Sequence, residues 1–251
     1  MKYLIANWKM YLDYHQSDAL ADALAAVAFD ADKASVVMCP NTLAFAGVRE
    51  RLNGSAFLLG AQNVNWAPLG AYTGATSAHL FKQAGATYAL VGHSERRYIF
   101  GETNESVRKK LEASIDAGLI PVLCIGETAD DREAGKREYR LKKQILAAFD
   151  GLPLRADESV LLAYEPVWAI SQGGEGTACT PADADDVHGW IRQELKQYTD
   201  KAVPILYGGS VTPENVADFC ACEMVDGVLA GHASTKLELL IAMIRAVENM
   251  S

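Results

Sequence analysis

Eight short apolar runs punctuate the 251-residue chain, and between them lie longer stretches in which apolar positions recur at spacings of three and four. The runs cover residues 3–8, 35–39, 57–61, 88–91, 120–124, 160–164, 203–207 and 226–229. Apolar residues follow one another in them without alternation, as expected of strands buried on both faces of a parallel sheet covered by helices. The intervening stretches have helical spacing, with Leu20, Leu24, Val27 and Ala28 in one and Val107, Leu111, Ser114 and Ile115 in another. Ser17, Thr42, Ser77, Thr180 and Thr212 read as helix caps, with Pro181 and Pro213 at the first helical position. A strand-helix unit repeating about every thirty residues obeys the right-handed crossover rule and closes as an α/β fold of the (β/α)₈ type, eight parallel strands ringed by helices. No Ser/Gly-rich linker or shift of composition divides the chain, so residues 1–251 are expected to form a single barrel domain. The competing architecture is an open doubly wound sheet, and no Gly-x-Gly-x-x-Gly follows the first strand to support it.

Composition narrows the function. Half of the residues are hydrophobic and 22% are charged, which favours a compact soluble protein over a disordered one. The formal charge of −9 argues against a nucleic-acid partner, and any small anionic substrate requires a local well of positive potential. Five cysteines, an odd number without C-x-x-C spacing, make disulfide and zinc frameworks unattractive and suggest a reducing, cytoplasmic setting. The N-terminal residues do not read as a signal peptide, and no apolar run is long enough to span a membrane, so no membrane partner is expected.

Reactive residues stand where the strands run out, the rim at which α/β barrels keep their chemistry. Lys9 follows the first run, in Asn7-Trp8-Lys9-Met10; alone it would be an ordinary solvated lysine. His93 follows the fourth, at the start of a predicted helix whose dipole favours an uncharged imidazole able to donate a hydrogen bond to a carbonyl. A core histidine satisfied by backbone groups is the plain alternative. Glu95 is expected to pair with Lys9, and one of Arg96 and Arg97 to face a partner subunit. Glu165 follows the sixth run and precedes Pro166, Val167, Trp168, Ala169, Ile170, Ser171, Gln172, Gly173, Gly174, Glu175, Gly176, Thr177 and Ala178. A carboxylate beside a proline-fixed hinge and a long glycine-dense loop describes a base next to a mobile lid that excludes water. Glycines after the last two runs, in Tyr207-Gly208-Gly209-Ser210 and Ala230-Gly231-His232, let backbone N–H groups approach an anion.

Seven segments carry a resemblance: Asn7-Trp8-Lys9-Met10, Ala61-Gln62-Asn63, Gly70-Ala71-Tyr72-Thr73-Gly74, Gly92 to Arg97, Cys124-Ile125-Gly126-Glu127, Ala163 to Ile170 and Tyr207 to Val211. In order and over nearly the whole length, the chain resembles the triosephosphate isomerase family. The resemblance implies interconversion of dihydroxyacetone phosphate and glyceraldehyde 3-phosphate through an enediolate, in glycolysis and gluconeogenesis, without metal or organic cofactor. It implies Glu165 as the base, His93 and Asn7 as polarising groups, and Lys9 as positive charge near the oxyanion and phosphate. The general pairing of a glutamate base with a neutral histidine under a closing loop is a known pattern for this family. Ser171, Ser210, Gly231 and His232 match its phosphate-gripping positions, while Glu95, Cys124, Trp168 and Tyr207 fall at supporting ones. Tyr72, Thr73 and Gly74 match the loop through which the family forms two-fold dimers, so a homodimer is expected.

The chain also departs from the family pattern. Its lid is about two residues longer than usual, with Ser171 at a customary glycine. His232 replaces the second glycine of a Gly-Gly pair, and Ala75 stands where a glutamate is common, removing a partner for Arg96. Two alternatives therefore accompany the leading reading: an isomerase of a related ketose or aldose phosphate, and a barrel that binds phosphate without turnover.

Overall fold

The computed structural model describes residues 1–170 and 178–250. Its strands are β1 (Lys2–Asn7), β2 (Ala34–Cys39), β3 (Leu58–Ala61), β4 (Tyr88–Val91), β5 (Ile120–Ile125), β6 (Leu161–Tyr164), β7 (Ile205–Tyr207) and β8 (Gly227–Ala230). All neighbouring pairs are parallel, and β8 closes on β1 with Tyr3 opposite Gly227, giving a closed barrel in sequence order. The expected (β/α)₈ architecture is the observed one. Strand ends differ from the apolar runs by a few residues. The seventh run enters the ladder after Pro204, a residue without an N–H to donate. Trp8 lies past β1, although its N–H still donates to Cys39 O at 3.1 Å.

The helices are α1 (Tyr14–Ala25), α2 (Phe45–Arg51), α3 (Ala78–Gln83), α4 (Ser94–Tyr98), α5 (Asn104–Asp116), α6 (Ala129–Glu133), α7 (Arg137–Phe149), α8 (Pro181–Leu195), α9 (Val216–Ala221) and α10 (Leu237–Asn249). Ser77 and Thr180 cap α3 and α8 as expected, and Pro181 opens α8. Three caps are corrected. Ser17 sits inside α1, where Asp13 and Gln16 form the capping box and the Ser17 hydroxyl turns back to Asp13 O. Thr42 and Thr212, with Pro213, belong to turns ahead of α2 and α9. Asn41 and Asn215 compete there for the turn N–H groups, accepting from Leu43 and Ala44 and from Thr212. Helix α1 ends at Ala25, so Val27 and Ala28 fall beyond it. Residues 130–149, charged overall, make α6 and α7, and α7 turns Leu141, Ile145, Ala148 and Phe149 inward.

Side-chain alternation along the strands decides what faces the barrel axis. Ile5, Val37, Leu90, Val122, Cys124, Leu161, Ala163, Leu206 and Leu229 pack together inside, whereas Leu4, Leu162 and Tyr164 point out under the helices. Continuing the inward parity, Asn7 follows Ile5 by two and Glu165 follows Ala163 by two. The barrel interior thus delivers both to the carboxyl rim with no special bend.

Candidate active site

At that rim Asn7, Lys9, His93, Glu165, Ser210, Gly231 and His232 line one cavity of about 270 Å³, together with Tyr11, Ile170, Gly208 and Glu214. Groups from strands β1, β4, β6, β7 and β8 thus converge as the sequence suggested. The chemistry-bearing members are buried: Asn7 is 4% exposed, His93 6% and Glu165 1%.

Lys9 has a left-handed backbone, φ 50°, the sole non-glycine with positive φ among the described residues. Such a conformation costs about 1 kcal/mol or more and persists where neighbours over-determine it. Here Asn7 Oδ1 accepts the Lys9 N–H at 3.1 Å, and Gln62 Nε2 donates to Lys9 O at 2.8 Å and to Cys39 O at 2.9 Å. The ammonium is aimed by Glu95, with Nζ to Oε1 at 2.7 Å, the pairing expected from sequence. Gly231 completes the arrangement, since a Cβ there would stand 3.3 Å from Lys9 Cε.

His93 caps α4, its Nδ1 accepting from the Glu95 N–H at 3.2 Å. An accepting Nδ1 puts the proton of a neutral ring on Nε2. That nitrogen lies 2.9 Å from Glu165 Oε1, close but not aligned as a hydrogen bond, so Oε1 has no hydrogen-bond partner among the described residues. The other carboxylate oxygen accepts the Ser94 N–H at 2.8 Å. Base and imidazole are therefore in contact with each other, and one carboxylate oxygen keeps unused accepting capacity.

Small residues make room for Glu165, side chain and backbone alike. A Cβ on Gly208 would come within 2.9 Å of Glu165 Cγ, and one on Gly126 within 1.8 Å of Glu165 O. Cys124 lies beneath the site, fully buried, and burial with the nearby Glu165 charge pushes its thiol well above the ordinary range. Tyr207 stacks on Phe219, centroids 3.8 Å apart and 11° between planes, and its hydroxyl occupies the space a Gly209 Cβ would need.

Glu127 falls within the Cys124-Ile125-Gly126-Glu127 segment, where only Cys124 has an expected role. It is fully buried, and its Oε1 accepts from Tyr164 Oη at 2.9 Å and Trp168 Nε1 at 2.8 Å, while its carbonyl accepts the Val167 N–H at 3.1 Å. Burial raises its carboxyl above the usual range, against the opposing effect of the two donors. Trp168, in a 3₁₀ turn at Val167–Ala169, also lies under Arg132, whose guanidinium carbon is 3.7 Å from the indole centroid. A carboxylate two residues past a glycine-free strand gave little signal; its partners come from a strand and a turn about forty positions away. Gln62 and the Ser94 N–H were similarly overlooked as supports of Lys9 and Glu165.

Of the anticipated lid, Pro166, Val167, Trp168, Ala169, Ile170 and Ala178 are described, with Ile170 at the cavity wall. Ser171, Gln172, Gly173, Gly174, Glu175, Gly176 and Thr177 lie outside the described residues. Tyr72, Thr73 and Gly74 are not at this site. Thr73, Gly74 and Ala75 face Arg96 across a separate cavity of about 400 Å³, and Arg96 pairs with Glu102 at 2.7 Å. Among the described residues no group of three or more His, Cys, Asp or Glu side chains is placed to hold a metal ion. No described helix is long and apolar enough to cross a membrane.

A closed parallel barrel with a buried carboxylate-imidazole pair at its carboxyl rim defines the class, a (β/α)₈ enzyme built for acid-base chemistry. The family profile of triosephosphate isomerase matches residues 2–247. The chain is 41% identical over 245 residues to the triosephosphate isomerase of Roseiflexus sp. (strain RS-1), covering 96% of this chain and 95% of that one. It is 39% identical over 246 residues to that of Herpetosiphon aurantiacus, with 96% and 97% covered. Against that of Dictyoglomus thermophilum it is 38% identical over 239 residues, with 94% and 95% covered. The chain belongs to the triosephosphate isomerase family.

Proposed function

We propose that this chain interconverts dihydroxyacetone phosphate and glyceraldehyde 3-phosphate, working as one catalytic barrel over residues 1–251. The observation that carries the reading is the buried Glu165–His93 contact of 2.9 Å inside a cavity it shares with Lys9, Ser210 and Gly231. Proton transfer next to a carbonyl needs a base and an electrophile on one substrate, and a three-carbon guest entering between these side chains would part them and meet both. Glu165 takes a proton from the carbon beside the carbonyl and becomes a carboxylic acid, leaving an enediolate. The His93 Nε2–H and Lys9 stabilise the charged oxygen, His93 passes the hydroxyl proton from the oxygen that becomes the new carbonyl to its neighbour, and Glu165 returns the carbon-bound proton to the neighbouring carbon. Ser210, Gly231 and His232 hold the phosphate, joined by Ser171, which matches a phosphate-gripping position of the family. Binding energy gathered there favours closure and supports the transfer.

A coupled assay with glyceraldehyde 3-phosphate, repeated with a four-carbon ketose phosphate, tests this. Preference for the three-carbon substrate is expected, a preference for the longer one selects the related-sugar alternative, and tight phosphoglycolate binding without turnover selects the non-catalytic one. The reading extends to a cytoplasmic homodimer in which the loop of Tyr72, Thr73 and Gly74 docks beside the neighbour's Asn7 and Lys9. Light scattering of the protein and of Thr73→Arg checks it, a dimer that weakens in the variant being the expected result and a monomer in both the contrary one.

A further inference from the structure

The cavity of about 400 Å³ beside Arg96 shares no residue with the one at the barrel rim. Its polar side chains are Thr42, Asn63, Asn65, Thr73, Thr76 and Arg96, and Gly74 and Ala75 complete the wall. The chain carries 32 acidic residues against 23 basic ones, yet among the described residues no carboxylate lines this space. The hydrogen bonds around it decide which ends of the lining groups remain available. Lys110 Nζ donates to Asn63 Oδ1 at 2.6 Å, and the Ala67 N–H donates to Asn65 Oδ1 at 2.8 Å. Both amide oxygens are thus engaged, and neither Nδ2 has an acceptor among the described residues. Arg96 donates through Nε to Glu102 at 2.7 Å and lies over Phe100, its guanidinium carbon 4.4 Å from the ring centroid. Its two terminal nitrogens have no acceptor among the described residues. The three threonine hydroxyls can donate as well.

The charge behind this wall is unbalanced in the same direction. Glu102 accepts from the buried Lys110 as well as from Arg96. Burial by itself would raise its carboxyl, but the two donors hold it below the usual range, so it is ionised at neutral pH. Two cations against one carboxylate leave one positive charge over, in a half-buried setting where water screens it less than at an open surface. A cavity whose available polar atoms are donors, backed by surplus positive charge, is complementary to an anion.

We propose that this cavity is a second binding site, for a small oxyanion gripped by the terminal nitrogens of Arg96 and ringed by the amide donors of Asn63 and Asn65 and the threonine hydroxyls. The planar fork of a guanidinium matches two oxygens of a tetrahedral anion or of a carboxylate. The site stands apart from the isomerase reading, because none of the residues assigned to proton transfer or to the rim phosphate lines it. Thr73 and Gly74 also belong to the loop expected to dock on a second copy, so the anion would sit beside that contact.

Sulfate and malonate would be titrated by calorimetry into the whole protein, in its solution assembly and at low ionic strength, with one equivalent of phosphoglycolate present to occupy the rim cavity. At least one of the two should bind with a dissociation constant of about 1 mM or tighter, and the tighter one names the class, tetrahedral anion or dicarboxylate. Arg96→Gln should weaken that binding about tenfold, the low end for charge-assisted hydrogen bonds because the guanidinium is half-buried rather than enclosed. Ala75→Glu places a carboxylate on the wall without altering the Arg96–Glu102 pair, and it should weaken binding at least as much; it carries the test if Arg96→Gln fails to fold. Weaker binding of both anions by the unaltered protein would overturn the proposal, as would an affinity in Ala75→Glu within about threefold of the unaltered one. Failure of phosphoglycolate to bind counts against the isomerase reading instead, since the comparison of variants still reports on the Arg96 cavity.

Discussion

The two ends of the cavity are built on opposite plans. At the end formed after β4 and β6, His93 and Glu165 are side chains sunk into the barrel mouth, touching each other and braced by Ser94 and Glu95. At the end formed after β7 and β8, the wall is turns: Gly208, Gly209, Gly231 and an exposed His232. Moving a proton requires fixed atoms at hydrogen-bond range in a dry site, which burial supplies. Holding a phosphate requires many N–H groups at close approach, which backbone without side chains supplies. On the proposed roles, rigidity is placed where the bond changes and access where the guest enters.

The contrast is tested most severely at its centre. Replacing Glu165 by Gln keeps the shape and removes the base, so kcat should fall by about 10²- to 10⁴-fold while phosphoglycolate affinity changes far less. Steady-state kinetics with inhibitor titration measure both. A loss of affinity as large as the loss of turnover would mean that the two ends do not divide the labour.

Behind both ends lies His188, buried on α8, with its ring edge-on to Tyr164 at 5.8 Å and Nδ1 3.3 Å from Met224 O. It ties the strand that carries Glu165 to the segment entering β8. Burial lowers its pKa to about 4, outweighing the backbone contact, and Nε2 has no hydrogen-bond partner among the described residues. The unfolded chain binds this proton near pH 6.5 and the native state near pH 4, so the stability held above pH 6.5 drains away as pH falls through that window, by up to about 3 kcal/mol. Urea unfolding at pH 7 and pH 5 should show the decline, and His188→Gln should reduce the slope. An unchanged slope in the variant would assign the acid sensitivity to other groups.

The barrel was legible because its signal is local. Runs such as 88–91 are apolar at every position, and their spacing admits few topologies. The convergence of Lys9, His93 and Glu165 on one cavity was legible for a related reason, since they sit within two residues of a strand end and strand parity does the rest. What escaped depends on contacts distant in sequence. Glu127 holds Tyr164 and the Trp168 turn, Gln62 restrains the left-handed Lys9, and neither partnership leaves a mark in the neighbouring residues. Ser17 misled because a serine beside an apolar run looks the same whether it caps a helix or bonds back inside one.

Gly208 blurs the division between the ends and so sharpens it. It belongs to the turn after β7, yet the atom it lacks would press on Glu165 Cγ at 2.9 Å and on Tyr164 O at 3.2 Å. Gly208→Ala should therefore behave as a lesion of the base, lowering kcat about ten- to a hundredfold through a displaced carboxylate. The KM for glyceraldehyde 3-phosphate should move less. A change confined to KM would place the glycine wholly with the phosphate.

The smallest effect is expected at Arg132, beyond both ends but in contact with the turn that follows Glu165. Its guanidinium covers one face of Trp168, whose indole N–H is held at the ring edge by Glu127. A cation over a partly exposed indole contributes about 0.5–1 kcal/mol, so Arg132→Gln should alter kcat/KM by about two- to fivefold. Glu127→Gln, which leaves an acceptor oxygen for the indole, gives the matching measurement from the ring edge. If the hinge tryptophan is held by both contacts jointly, the double variant should depart from the sum of the singles. Additivity would show instead that Arg132 and Glu127 act on Trp168 independently.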